Sequence, residues 1–247
     1  MRALLLNTKS EFRKLTFRKK YLVITILGAL VCILRLGGSM LITKLSGGEI
    51  VIRTNLMTEM LGFVVDILVP MVLFMAVCDL FSSEIQEDNM KAALMRPLTR
   101  FKVMLSKSLA AVLIGCAVTV VMFFICLLIQ VISGGGIKSA PLTFVAYVID
   151  MVPFFALVSM ATFINMLTKS PTLSMLLCIA AYIFFKYLNI YVSPYGQMIF
   201  TAYSQWHKIW IGTSLPFGAL CNKVGILFGS VLILYTASYI IFDRKDF

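Results

Sequence analysis

The chain has 247 residues, of which 60% are hydrophobic and only 13% charged, with a formal net charge of +11 and a mean hydropathy of +0.97. Soluble domains carry about 25% charged residues, and no single water-soluble core needs this much apolar surface, so lipid is the expected solvent. The basic residues flank apolar runs, which suits topology signals and anionic headgroups and excludes a nucleic-acid surface as their purpose.

Residues 1–20 are basic and amphipathic. Leu4, Leu5, Thr8, Phe12 and Leu15 fall on one helical face, and Lys9, Arg13, Lys14, Arg18, Lys19 and Lys20 cover the rest. This is the pattern of a helix lying in the membrane interface, the alternative being a disordered positive tail. The apolar run that follows reads as too long for a cleaved signal peptide.

Crossing a bilayer takes about 20 apolar residues. Six spans are predicted, over 21–42, 61–81, 103–132, 143–167, 171–191 and 224–242, giving an all-α polytopic membrane protein in a single domain. Lys and Arg concentrate in 1–20, in the second connection with its exit (Lys91, Arg96, Arg100, Lys102, Lys107), at Lys169 and at Arg244 and Lys245. The opposite side holds only Lys44, Arg53, Lys138, Lys208 and Lys223. Both termini are therefore expected in the cytoplasm.

Arg35, Asp66, Asp150 and Lys186 lie inside spans, where a charge costs about 2.5–3.5 kcal/mol on insertion scales and must pair or line water. At ~1.5 Å of rise per residue all four fall near the external third of their helices, which predicts the pairs Arg35–Asp66 and Asp150–Lys186. Such pairs would either hold the bundle together or line the mouth of a substrate path. Pro70 and Pro153 should kink their spans. Residues 192–223 form an external segment rich in aromatics and too short of apolar runs to cross. Two short helices dipping into the outer interface, anchored by Trp206 and Trp210, are expected there.

The central connection, 82–102, carries Glu84, Glu87, Asp88 and Lys91 before Pro97. Ser82 or Ser83 can cap a short helix with these charges exposed, Pro97 stops it, and Thr99 caps the next, which carries Lys102 and Lys107 outward. A short helix held between two spans can carry motion from a soluble partner into the bilayer.

Other chemistry is thin. The pattern G-x-x-x-x-G-K-[ST] is absent; in Gly134-Gly135-Gly136-Ile137-Lys138-Ser139 an isoleucine separates glycine from lysine, so no phosphate cradle is expected and the chain should bind no ATP. The six cysteines (Cys32, Cys78, Cys116, Cys126, Cys178, Cys221) are scattered, and His207 is the single histidine. Neither a disulfide framework nor a metal site is indicated. Intramembrane hydrolases need paired aspartates, a Ser–His pair or metal ligands within spans, and Asp66 and Asp150 are far apart in sequence. No catalytic residue is assigned.

The order Glu84, Lys91, Leu94, Arg96-Pro97-Leu98-Thr99-Arg100, Lys102, Lys107 resembles the loop of ABC type-2 exporter permeases, in particular the bacitracin-, lantibiotic- and toxin-peptide-exporter branch. Asp88-Asn89 stands where that family has Gly-Thr. The ending Phe242-Asp243-Arg244-Lys245-Asp246 is similar to the family's Phe-x-Arg-x-Asp. The resemblance implies a half-transporter in a bacterial plasma membrane, working as a homodimer or related heterodimer. A separate cytoplasmic subunit would bind ATP and Mg, and the cargo would be an amphipathic peptide or hydrophobic compound. It further implies that Glu84, Glu87, Asp88 and Lys91 dock the ATPase, that Pro97 stops the docking helix, and that Arg100 meets headgroups or the partner. The competing classes are an ATP-independent immunity factor or channel and an intramembrane hydrolase.

Overall fold

The computed structural model describes residues 2–45, 56–87, 99–132, 138–168, 170–191, 199–211 and 217–244. Among these residues there is no strand, and six helical stretches are long and apolar enough to cross a membrane: Lys19–Gly38, Leu56–Gln86, Arg100–Ile132, Ala140–Leu167, Pro171–Asn189 and Gly218–Arg244. The all-α, six-span expectation holds.

The chain opens with α1 (Arg2–Thr16) and turns into α2 (Lys19–Leu45), the first span. The second span is built in pieces: α3 (Leu56–Phe63), a single π turn (Val64–Leu68), α4 (Val69–Leu80) and the short α5 (Ser82–Gln86). The third is α6 (Arg100–Ile132), whose 33 residues exceed the ~30 Å hydrocarbon thickness by more than a turn at each end. The fourth is α7 (Ala140–Ile149) followed by α8 (Phe154–Leu167), and the fifth is α9 (Pro171–Tyr191). A 3₁₀ turn (Phe200–Tyr203) and α10 (His207–Trp210) precede the sixth, α11 (Phe217–Arg244).

The two prolines interrupt their spans in different ways: a widened turn at Pro70 and, at Pro153, a break where a kink was expected. Pro70 has no N–H to offer the carbonyl of Asp66, and the preceding turn widens, with the N–H of Val69 donating to Val64 O. The freed Asp66 carbonyl accepts a hydrogen bond from Tyr182 Oη at 3.0 Å, so the break in the second span is repaired by the fifth. Pro153 sits in a turn over 150–153 that separates α7 from α8.

The core lies around α4, where Val69, Val72, Leu73, Phe74, Ala76 and Val77 are fully or almost fully buried. It is flanked by α6, α8 and α9, while α1 lies along α6 and α11 lies along α8. Small residues set the closest approaches. A Cβ on Gly115 would come 2.6 Å from Leu73 Cδ2, so only glycine lets α6 pack this tightly on α4. Gly28 of α2 is equally closed by Leu68 and Met122. Outward faces of α2, α9 and α11 expose Leu22, Ile26, Leu176, Phe184, Leu232 and Ile233, as lipid-facing helices do.

Candidate functional site

The face of α1 that meets the bundle is polar as well as apolar. Asn7, Thr8, Glu11 and Leu15 are buried, whereas Leu5 and Leu6 point outward. Of the expected stripe, Thr8 and Leu15 are buried, Leu4 and Phe12 are half-buried and only Leu5 is exposed. The inward face is thus widened to take in Asn7 and Glu11, because α6 presents a serine and a lysine to α1. Asn7 Nδ2 donates to Ser106 Oγ at 2.6 Å, and Glu11 Oε2 lies 3.9 Å from the ammonium of Lys107.

Lys107 is the centre of this junction. It was expected to point outward, yet none of its side chain is exposed. Its Nζ is 2.5 Å from Glu84 Oε2 and donates to Leu80 O at 3.1 Å, where α4 runs into α5. Lys14 lies across the same carboxylates, 3.0 Å from Glu11 Oε2 and 3.4 Å from Glu84 Oε1. Burial weakens the hold of Lys14 on its proton, but the charges of Glu84 and then Glu11 outweigh this and raise its pKa above the usual lysine value. Two acids and two lysines therefore tie α1, α5 and α6 into one block. Glu84 is a member of that block and only 12% exposed, which corrects the expectation of an open docking charge.

A second hub lies beside it. Asp79, near the end of α4, is buried and meets Arg18 Nη1 at 2.9 Å, Lys20 Nζ at 2.5 Å and the hydroxyl of Tyr21 at 2.7 Å. The turn between α1 and α2 is thereby pinned to the second span. The sequence carried a signal for it that went unused: an acid at the end of an apolar run, on the same side as a cluster of basic residues. Ser82, expected as a cap, makes no capping bond. Its Oγ donates to Asn165 Oδ1 at 2.6 Å and lies 2.7 Å from Ser174 Oγ, joining α5 to α8 and α9. Ser174 in turn contacts the hydroxyl of Thr168.

Glu87 caps the C-terminal end of α5 and is exposed. Asp88, Lys91 and Pro97 lie outside the described residues. The chain returns at Thr99, and Arg100 Nη1 donates to Asp243 O at 2.6 Å. Phe101 stands edge-on to Tyr235 and Tyr239, with ring centroids 6.1 and 5.5 Å apart. The exit of the central connection and the end of the last span are thus in direct contact.

At the opposite end of the bundle the predicted pairs exchange partners. Asp66 meets Lys186 at 2.9 Å, not Arg35, and Arg35 lies 3.4 Å from Glu59. Asp150 meets His207 Nδ1 at 2.7 Å, not Lys186, and also accepts the backbone N–H of His207 at 2.6 Å. Asp66 further accepts from Ser204 Oγ at 2.7 Å and Gln205 Nε2 at 2.8 Å. Both acids therefore hold the segment 199–211 against the bundle. Trp206 is correspondingly buried, edge-on to Tyr203, and not an interface anchor; Trp210 is 48% exposed.

Among the described residues no three His, Cys, Asp or Glu side chains come together as metal ligands would, and the cysteines are free. At the basic end the ion cluster joins α5 to both α1 and α6. Residues 8–186 match the model of a protein family described as "ABC-2 family transporter protein". No curated protein matches the chain.

Proposed function

This chain belongs to the ABC-2 transporter family, as a membrane permease subunit and not itself an ATPase, and from that premise we propose that it is one half of an exporter driven through its central connection. The basic end faces the cytoplasm, because Lys and Arg of short loops stay on that side. A cytoplasmic ABC subunit carrying ATP and Mg grips 82–102 in the region of Glu87, Asp88, Lys91 and Pro97. A second permease copy completes the transporter in a bacterial plasma membrane, and the cargo is an amphipathic peptide or a hydrophobic compound. Work enters because the ATP-bound partner holds one arrangement of the connection better than the other.

The observation that carries this reading is the buried contact of Glu84 with Lys107 at 2.5 Å, with Lys14 and Glu11 around it. A flexible solvated connector has no use for a buried ion cluster at its root. A lever needs one, since a pull on 87–98 reaches α1, α4 and α6 only if the root is rigid.

The test is reconstitution of the chain with its ABC ATP-binding subunit in vesicles, with ATP hydrolysis and accumulation of amphipathic peptides followed together. Peptide-stimulated hydrolysis and ATP-dependent accumulation are expected. Accumulation by the chain without the ATP-binding subunit would instead make it a channel.

A further inference from the structure

A cavity of about 150 Å³ opens between the third, fourth and sixth spans. Leu105 and Leu109 of α6, Phe155 and Val158 of α8, and Val231 and Tyr235 of α11 line it. It opens sideways, past Phe155 and Leu232, which are 46% and 68% exposed. Leu105, Ser108 and Leu109 flank Lys107 along α6, but neither Lys107 nor the cluster's acids line the cavity.

Water is a poor occupant, because the accessible wall is almost wholly apolar. The hydroxyls of Ser108 and Ser159 in the wall already donate to Met104 O and Ala156 O. The Tyr235 hydroxyl is enclosed, and among the described residues no group meets it in hydrogen-bond geometry, although Ser108 lies close by. A buried water needs two to four polar partners, and apolar cavities of this size stay dry and take hydrocarbon-like guests. A hydroxyl left unsatisfied in such a place costs about 1–3 kcal/mol, so the occupant should also bring one acceptor.

The depth identifies the class of molecule. Ser108 lies six residues beyond Lys102 along α6, about 9 Å at ~1.5 Å per residue. The polar zone on each side of a bilayer is roughly 5–8 Å thick, so the Tyr235 hydroxyl sits just beneath it, where glycerol ester carbonyls give way to acyl chains. Lys102 is exposed and lies one turn before Leu105, on the same helical stripe as Leu105 and Leu109 by i, i+3 and i+7. Cation at the surface, lone donor below it and apolar cavity below that match an anionic phospholipid in order and spacing.

We propose that this cavity is a built-in site for one acyl chain of an anionic phospholipid of the leaflet on the basic side, with its ester carbonyl on Tyr235 Oη and its headgroup beside Lys102. Because α11 touches α6 here through Phe101, Tyr235 and Tyr239, the lipid fills the seam between the last span and the exit of the central connection.

The full chain in nanodiscs of equimolar phosphatidylglycerol and phosphatidylcholine, released into native mass spectrometry, tests this. The natural sequence should retain one phosphatidylglycerol per chain. Val158→Phe, which fills the cavity, should lower retention at least tenfold, and Tyr235→Phe should lower it several-fold. Lys102→Gln should keep the lipid and lose the preference for phosphatidylglycerol. Leu232→Trp narrows the mouth from an exposed position and serves if Val158→Phe does not fold. A phosphatidylglycerol with a diazirine on its chain should label 231–235. Equal retention by the mouth-blocking variant, equal retention of both lipids by the natural sequence, or labelling confined to other helices would overturn the proposal. So would loss of self-association without loss of lipid, which would make a second copy of the chain the occupant.

Discussion

Lys107, with no exposed side-chain surface, holds its ammonium 2.5 Å from Glu84 Oε2, so a full charge is enclosed at the point where the second and third spans meet the central connection. Removing one member of such a pair leaves the other buried and uncompensated, at a cost of about 3–5 kcal/mol, whereas replacing both with apolar groups can be neutral. Lys107→Met should therefore lower thermal stability sharply. Lys107→Met combined with Glu84→Met should recover much of the loss. Thermal unfolding of the purified chain measures both, and equal losses in the single and double variants would show that the pair does not couple.

The two glutamates of α5 should separate. Glu84→Lys places a third cation against Lys14 and Lys107 and should destabilise the chain by several kcal/mol by the same buried-charge logic. Glu87→Lys acts on an exposed residue and should change stability by only about 0.5–1 kcal/mol. On the proposed function, Glu87→Lys alone should still reduce peptide-stimulated ATP hydrolysis by the partner. Normal stimulation in a stable Glu87→Lys protein would remove this residue from the docking surface.

Asp66 belongs with Lys186, and a double-mutant cycle can say so. Polar interactions within membranes are worth about 0.6 kcal/mol on average and at most about 1.7. The cycle joining Asp66→Ala and Lys186→Ala should give a coupling of about 1 kcal/mol. The cycle joining Asp66→Ala and Arg35→Ala should give about zero, because Arg35 faces Glu59. Unfolding in denaturant supplies the energies, and the reverse order of couplings would contradict the arrangement.

The partner exchange shows where sequence reading stops. Apolar runs fix how many helices cross, because each must satisfy its backbone alone and reach across the same thickness. Burial energy likewise demands that Arg35, Asp66, Asp150 and Lys186 pair. Matching depth does not fix which way each helix is turned, so it could not choose the pairs. The true partner of Asp150 is His207, in a segment that crosses nothing and has no depth register of its own. The polar part of the buried face of α1 was missed for a related reason. Amphipathicity assumes that polar residues seek water, but Asn7 and Glu11 seek Ser106 and Lys107 of α6. Glu84 and Glu87, three apart, looked like one solvated face, and nothing local betrays the lysine that covers one of them.

Glycines give a cleaner contrast. A methyl on Gly115 would meet Leu73, whose buried neighbours leave it little room to move, so Gly115→Ala should overpack the α4–α6 contact and cost about 1–3 kcal/mol. At Gly37 of α2 an added Cβ meets nothing within 4 Å, and alanine there should be neutral or stabilise by up to about 1 kcal/mol through helix propensity. The difference in unfolding midpoint between the two variants is the measurement. Leu73→Ala should rescue part of the Gly115→Ala loss if the clash is the cause.

The segment 199–211 is held by two acids that differ in what they accept. Asp150 takes both the ring Nδ1 and the backbone N–H of His207, while Asp66 takes the side chains of Ser204 and Gln205. His207→Ala removes only one of the two bonds to Asp150, because the backbone donor survives. A net loss of about 1.5–3 kcal/mol follows, the range for hydrogen bonds to charged groups. Asp150→Ala removes both bonds and leaves two part-buried donors without this acceptor, so it should cost more. Hydrogen exchange of the amides of 204–211 resolves the two cases: His207 N–H should stay protected in His207→Ala and exchange freely in Asp150→Ala. Protection in both variants would mean that Trp206, buried against Tyr203, anchors the segment without help from the acid.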